Sequence, residues 1–242
     1  MYFGEDYKVT DKIIISQPTV GDVMLFGEEK FNQILNPFVL NPTSLRVSLW
    51  QQGVDWTKIT DYELFCQLIL QLSPPPDETS MLFGDLDFSK FRLYKRTDEM
   101  DGECVEDIVL LNQEQEVLID EAIYDNISHY LRTMFKIFPK VEKAKDKITK
   151  EWMIEEEIQK LKSQPVQRSK LLAMVSFCLN HPGFKYKKDE LKNLGIVEFY
   201  DSVQRLLVYE STSSLMKGIY SGFVDTSKIK KEEFDFMREF NS

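Results

Sequence analysis

The chain has 242 residues, 43 % hydrophobic and 12 % aromatic, with 30 Lys and Arg against 40 Asp and Glu, a formal charge of −10. This is too apolar for a disordered chain and enough to build one large domain or two modest ones. No apolar run reaches the roughly 18–20 residues of a membrane span, the opening Met1-Tyr2-Phe3-Gly4-Glu5-Asp6 lacks a signal-peptide pattern, and three widely spaced cysteines (Cys66, Cys104, Cys178) make no disulfide framework, so a soluble cytosolic protein is expected.

In chain order, the β-branched run Ile13-Ile14-Ile15, stopped by Pro18, predicts a short edge strand. Thr19 can cap a helix from Val20, with Asp22 at its positive end and Gly27 as a weak point before Phe31, Ile34 and Leu35. Asn41-Pro42 reads as the start of another helix, closed by Gly53. Thr60-Asp61-Tyr62-Glu63 has capping-box spacing and opens a helix that Pro74-Pro75-Pro76 stops. Residues 82–119 read as a small antiparallel sheet, with strand candidates at Phe88 to Tyr94, Val105 to Leu111 and Glu116 to Ile119, and a turn at Asp98 to Glu103.

From Asp120 the pattern is helical, with Ile123, Ile127, Tyr130, Leu131, Met134 and Phe135 on one face, up to Phe138-Pro139. Residues 140–162 hold seven Lys and six acids, a solvated helix or helical linker with modest apolar surface at Trp152, Ile154, Ile158 and Leu161. Ser163-Gln164-Pro165 marks a boundary. Beyond it, helices are expected at Leu171 to Leu179, Lys188 to Leu194 with Gly195 as a left-handed cap, Ile196 to Met216, and an amphipathic Glu232 to Phe240. In the long helix Phe199, Val203, Leu206, Leu207 and Leu215 are expected to face the core. The fold class is therefore α+β, predominantly α-helical with a small antiparallel β-rich insertion. Its expected divisions are 1–76 (strand plus helices), 77–119 (acidic β-rich insertion), 120–164 (helical connector) and 165–242 (C-terminal helical domain).

The charge is uneven. Between Arg96 and Arg132 there is no Lys or Arg but eleven acids, Asp98 through Asp125, so the rest of the chain sums to +1. Such a block repels nucleic acid locally, and suits either a basic partner or a solvated loop.

Chemistry-bearing patterns are sparse. Cys178 and His181 at i, i+3 could share a helix face as a thiol–imidazole pair, or serve as a buried small residue and a helix-end histidine. Asp85/Asp87 and Asp101/Glu103/Asp107 offer oxygen ligands without calcium-loop spacing, and no zinc or phosphate-binding motif occurs. Phe184-Lys185-Tyr186-Lys187-Lys188 interleaves rings and cations as single-strand binders do, or is an ordinary helix-start loop. No catalytic residue, cofactor or metal site is assigned, a nucleic-acid or membrane partner is not expected, and a non-enzymatic role is.

Two sets of residues carry a resemblance. The first is Ile13-Ile14-Ile15-Ser16-Gln17-Pro18-Thr19-Val20-Gly21-Asp22 with Asn41-Pro42-Thr43-Ser44-Leu45 and Asp61-Tyr62-Glu63-Leu64-Phe65. The second is Leu179-Asn180-His181-Pro182-Gly183-Phe184-Lys185-Tyr186 with Phe199-Tyr200-Asp201-Ser202-Val203-Gln204-Arg205-Leu206 and Gly218-Ile219-Tyr220-Ser221-Gly222-Phe223. Together they resemble proteins of tailed phages of Gram-positive hosts encoded among the tail-morphogenesis genes, and the opening strand–Pro–Thr–helix pattern is similar to tail assembly chaperones. The resemblance implies a chaperone-like assembly factor in the cytoplasm of the infected host cell. It would bind the helical tape-measure or another tail protein and keep it soluble until the tail tube polymerises. Phe223, Phe234, Phe236, Met237 and Phe240 are the candidate contact residues, with packing against their own domain as the alternative. A structural virion component of the tail or neck, and a non-catalytic adaptor, remain open.

Overall fold

The computed structural model describes residues 2–100, 103–163, 169–225, 227 and 229–239, with side chains at all of these except 98–100 and 103–106. The fold is α+β and mainly helical, with one two-stranded and one three-stranded antiparallel sheet.

Strands β1 (Tyr7–Lys8) and β2 (Ile14–Ile15) form the opening hairpin. Ile13 and Ile15 are buried and Ile14 is exposed, the alternation a half-buried strand requires. Thr19 caps α1 (Val20–Phe26) in a full capping box with Asp22. Gly27, at φ +99°, then breaks what the apolar period alone suggested as one helix, and α2 (Glu28–Val39) follows.

The Asn41-Pro42 start lies further on than expected. The Asn41 side chain accepts from Ser44 N–H at 2.9 Å within a turn, and helix α3 covers Arg46–Gln51. Gly53 closes it at φ +76°. The Thr60–Glu63 box opens α4 (Asp61–Leu72) as its spacing required. The triple proline does not lead straight into sheet: Pro76 and the acids Asp77 and Glu78 begin a further helix, α5 (Pro76–Phe83). Phe88–Lys90 is a 3-10 turn rather than strand, because the Asp87 carboxylate accepts from Ser89 N–H at 3.0 Å and curls the chain.

The sheet proper is β3 (Arg92–Met100), β4 (Glu103–Asn112) and β5 (Val117–Ile119), in that spatial order. β3 and β4 pair from Arg92–Leu111 to Met100–Glu103, which brings the reversal to the expected Asp98–Glu103 region; residues 101 and 102 lie outside the described residues. Asp120 caps α6 (Glu121–Phe135), which Lys136 ends in the left-handed region at φ +55°, before Phe138-Pro139. Helix α7 (Lys147–Ser163) is shorter than the charged segment: 140–146 is not helical. Ile154 is buried and Ile158 packs beside it, whereas Trp152 and Leu161 face solvent. The Gln164-Pro165 boundary lies outside the described residues.

Ser169 caps α8 (Lys170–Asn180), and α9 (Lys188–Leu191) leads into α10 (Ile196–Tyr220). Gly195 is not a left-handed cap. Its φ is −61° and it precedes α10, bridging to Thr19. Phe199 and Val203 are buried and Leu206 packs on the core, while Leu207 is exposed and Leu215 half-buried.

The principal core draws on the whole length from Ile13 to Val203, including Phe38, Phe65, Leu110, Ile119, Tyr124, Cys178 and Phe199. Phe65 and Tyr124 stack with centroids 4.7 Å apart, and the Tyr62 hydroxyl donates to the Ile119 carbonyl at 2.7 Å, tying α4 to β5. A smaller core of Leu49, Trp56, Leu64 and Ile154 joins α3 and α7 to one side of α4. No helix among the described residues is long and apolar enough to cross a membrane.

Candidate interaction surface

The chemical candidates do not assemble. Both ring nitrogens of His181 have other partners: Nδ1 accepts from Gly183 N–H at 3.0 Å, and Nε2 lies 3.3 Å from Glu210. The Cys178 thiol is fully buried, and desolvation pushes its pKa up to about 11, opposite to what a nucleophile needs. Cys66 is pushed up to about 11 for the same reason. Asp87 caps its 3-10 turn, and no three His, Cys, Asp or Glu side chains among the described residues are grouped to hold a metal ion. In the Phe184–Lys188 patch both rings pack on the core and meet edge to face, and the Tyr186 hydroxyl donates to Glu198. Those rings are not free platforms for bases.

Two open hollows lie elsewhere. One, of about 610 Å³, is bordered by Lys12, Ile14, Gly84, Asp85 and Val117. Beneath its rim Asn112 and Gln115 form a closed amide network. Asn112 Nδ2 donates to Gln115 Oε1 (2.8 Å) and to the Asp87 carbonyl (3.0 Å), and Gln115 Nε2 donates to the Asp85 carbonyl (2.7 Å). These bonds occupy both hydrogens of the Asn112 amide and fix Asp85 and Asp87 on the β4–β5 turn. The second, about 530 Å³, lies where α4 and α6 begin and is lined by Glu63, Arg96, Asp107, Asp120, Glu121 and Asp125. Two of its carboxylates have structural work: Glu63 and Asp120 are helix caps, and Asp120 lies 3.2 Å from Arg96.

The described candidate contact residues follow α10, a helix about 37 Å long at 1.5 Å per residue, and Phe236 packs on its Tyr209. The chain leaves α10 through Gly222, at φ +74°, with Phe223 N–H bonded to the Gly218 carbonyl at 3.0 Å. Gly218 is where the returning chain passes closest: a Cβ there would stand 2.6 Å from Val224 Cγ2. The expected Glu232–Phe240 helix is not formed over its described part. Lys231–Phe234 is a single 3-10 turn, after which the Asp235 carboxylate takes Met237 N–H at 2.8 Å and diverts the backbone. Arg238 then pins this strap to α10, donating to Thr212 Oγ1 (2.7 Å), the Glu233 carbonyl (2.6 Å) and Ser211 Oγ (3.2 Å).

The strap therefore has its own partner in α10 and is not a free helix. Phe234 is half-buried, and Phe236 is partly covered by Tyr209, centroids 5.9 Å apart. Phe223 and Met237 are 90 % and 83 % exposed, and Tyr220, the last residue of α10, is 82 % exposed. Phe240 lies outside the described residues. The sequence pattern missed Tyr209 and Tyr220; the signal for them was their place on α10 off the face of Phe199 and Val203. No family model, curated protein or solved structure matches this chain.

Proposed function

We propose that this chain is a non-enzymatic, chaperone-like tail-assembly factor of a tailed phage. On this reading it acts in the cytoplasm of the infected host cell and holds the tape-measure protein or another tail protein against the distal arm of α10. The observation that carries the reading is the exposure of Tyr220 and Phe223 at the end of α10 and of Met237 on the strap that Arg238 pins to that helix. Large side chains left in water on an ordered arm are what a partner helix with an apolar stripe would cover. Each one fully buried would contribute about 1.5–3 kcal/mol to association.

The test is co-expression with the tape-measure protein, followed by pull-down and size-exclusion chromatography. Co-elution, with rescue of the partner's solubility, is expected; the pair Phe223→Asp and Met237→Lys should abolish both while leaving the far-UV circular dichroism unchanged. A monodisperse chain that ignores the tape-measure protein overturns the reading. Recovery from purified virions in fixed stoichiometry would instead identify a structural component of the tail or neck.

A further inference from the structure

Helix α6 separates two surfaces of opposite charge. At its start lies the hollow of about 530 Å³, which among the described residues carries five carboxylates (Glu63, Asp107, Asp120, Glu121 and Asp125) and one guanidinium, that of Arg96. Glu63 and Asp120 serve as caps, and Asp107 and Asp120 face Arg96. Glu121 and Asp125, one turn apart on α6, are exposed, and neither has a hydrogen bond or ion pair among the described residues. At the far end of the helix, about 22 Å on at 1.5 Å per residue, Lys136 turns the chain into 137–146, which is neither helix nor strand. Lys136, Lys140, Lys143 and Lys145 are exposed there, and their ammonium groups likewise have no partner among the described residues. Both acids of the loop are engaged, Glu142 on Arg46 and Asp146 on Thr149 N–H at 2.8 Å. Asn41 Nδ2 donates to the Lys140 carbonyl at 3.0 Å, and Glu142 N–H donates to Thr43 Oγ1 at 3.3 Å. The loop is thereby fixed on the turn after α2, with Phe138 and Val141 exposed between the lysines.

We propose that this lysine loop seats in the acidic hollow of a second copy of the chain. Lysines of the loop then meet Glu121 of the partner subunit and Asp125 of the partner subunit. The apolar side chains between them meet Ile108 of the partner subunit, an exposed apolar residue in the wall of the hollow. The occupant is a second copy because the two surfaces are complementary in charge and every molecule carries both in equal number. Within its own chain the loop begins a helix-length from Glu121, and none of its four lysines meets a carboxylate of the hollow. Loop against loop, or hollow against hollow, would oppose like charges, so the contact joins unlike surfaces. The formal charge of −10 acts between whole molecules, and salt screens it beyond about 8–10 Å, whereas charges brought together in a partly closed hollow are screened much less.

The experiment is sedimentation equilibrium of the full chain over a wide concentration range at physiological ionic strength. Self-association is expected. Lys140→Gln/Lys143→Gln in the loop and Glu121→Gln/Asp125→Asn in the hollow should each raise the dissociation constant by about tenfold, the loss that follows from removing two close charge pairs of modest strength. Asp120, and neither Glu121 nor Asp125, caps α6, and circular dichroism on each variant confirms folding. An equimolar mixture of the two variants still contains intact loops and intact hollows, so it should associate at a concentration where each variant alone is monomeric. A monomer at every concentration overturns the proposal. Association indifferent to either pair of substitutions overturns it as well, since it would use another face, and so does a mixture that stays monomeric. No tail protein enters the assay, so the result is independent of the tail-assembly reading.

Discussion

The Gly21 N–H donates to the Lys192 carbonyl at 2.8 Å, and a Cβ on Gly21 would stand 2.6 Å from that same oxygen. The bond is one rung of a clamp. Val20 N–H reaches the Leu194 carbonyl at 2.9 Å, Ile196 N–H reaches the Pro18 carbonyl at 3.0 Å, and Thr19 bridges to Gly195. The start of α1 is thereby fastened to the junction of α9 and α10. Because the opposing atom is backbone, it cannot swing away. Gly21→Ala is expected to lower unfolding free energy by about 2–3 kcal/mol, even though alanine gains up to about 1 kcal/mol in helix propensity. At Gly195 a Cβ would meet the Gln17 side-chain amide, which can rotate, so Gly195→Ala should cost less than about 1 kcal/mol. Urea unfolding of both variants checks the contrast; equal losses would show that the clamp is not its cause.

Local grammar was readable where the partners are a few residues apart. Thr19 with Asp22, Thr60 with Glu63, and Asp120 with Ile123 all cap as their spacing predicted, since each bond closes within one turn. The misreadings fall where distant residues decide. Gly195 looked like a helix end because the sequence does not show Gln17 and Thr19 waiting for it. Glu232–Phe240 has helical spacing, but short helices gain little alone, and the bonds from Arg238 to Thr212 and Ser211 hold another conformation. At the candidate surface, residue types were legible and exposure was not: Phe223 and Phe236 look alike in sequence, and only the packing of Tyr209 on Phe236 separates them.

Arg46 is the anchor of the smaller core. Its side chain is almost wholly buried, with one guanidinium nitrogen on Glu142 and the other on Glu157 of α7 at 2.6 Å. α7 has no continuous apolar stripe, so the Glu157 ion pair and Ile154 hold it on α3, while the Glu142 pair fastens the segment leading into it. A lysine supplies one point charge and cannot serve two carboxylates in this forked geometry. Amide hydrogen exchange over 147–163 should therefore quicken in the order wild type, Arg46→Lys, Arg46→Ala. The alanine variant should lose about 1–3 kcal/mol, held to that range because both glutamates return to water easily.

Asp55 gives α7 a dependence on acid. Lys150 Nζ lies 2.6 Å from its carboxylate and 2.8 Å from Thr57 Oγ1, and passes over the Trp56 ring. The hydrogen bond from Lys150, with help from Thr57, lowers the Asp55 pKa from 3.8 to about 2. A carboxylate depressed by folding contributes fully above its unfolded pKa and loses that contribution as pH falls through the folded one. The window is thus about pH 4 down to 2. Lys150→Met should be less stable than wild type by roughly 1 kcal/mol at neutral pH, a modest value because solvent reaches the pair. The difference should shrink across that window and vanish below it, as read from tryptophan fluorescence in urea titrations at stepped pH. A gap that stays undiminished from pH 4 down to pH 2 would show that the lysine acts by packing alone.

Gly218 decides whether the strap can lie on α10. It is inside the helix, where alanine would ordinarily gain about 1 kcal/mol, but its missing Cβ is the space that Val224 Cγ2 approaches to 2.6 Å. The neighbour is a side-chain methyl on the returning chain, so the strain is relieved by displacing the chain that carries it, not by unfolding the core. Gly218→Ala should leave global stability within about 1 kcal/mol of wild type. It should speed proteolytic cleavage between Ser221 and Arg238, because the turn at Gly222 and the strap behind it lose their seat. Truncating the opposing methyls offers the control. Val224→Ala in the Gly218→Ala background should return cleavage toward the wild-type rate, a coupling between the two sites that neither change alone predicts. Additive effects in that cycle would mean that the strap is held by Arg238 and Phe236 and that the Gly218–Val224 approach does not position it.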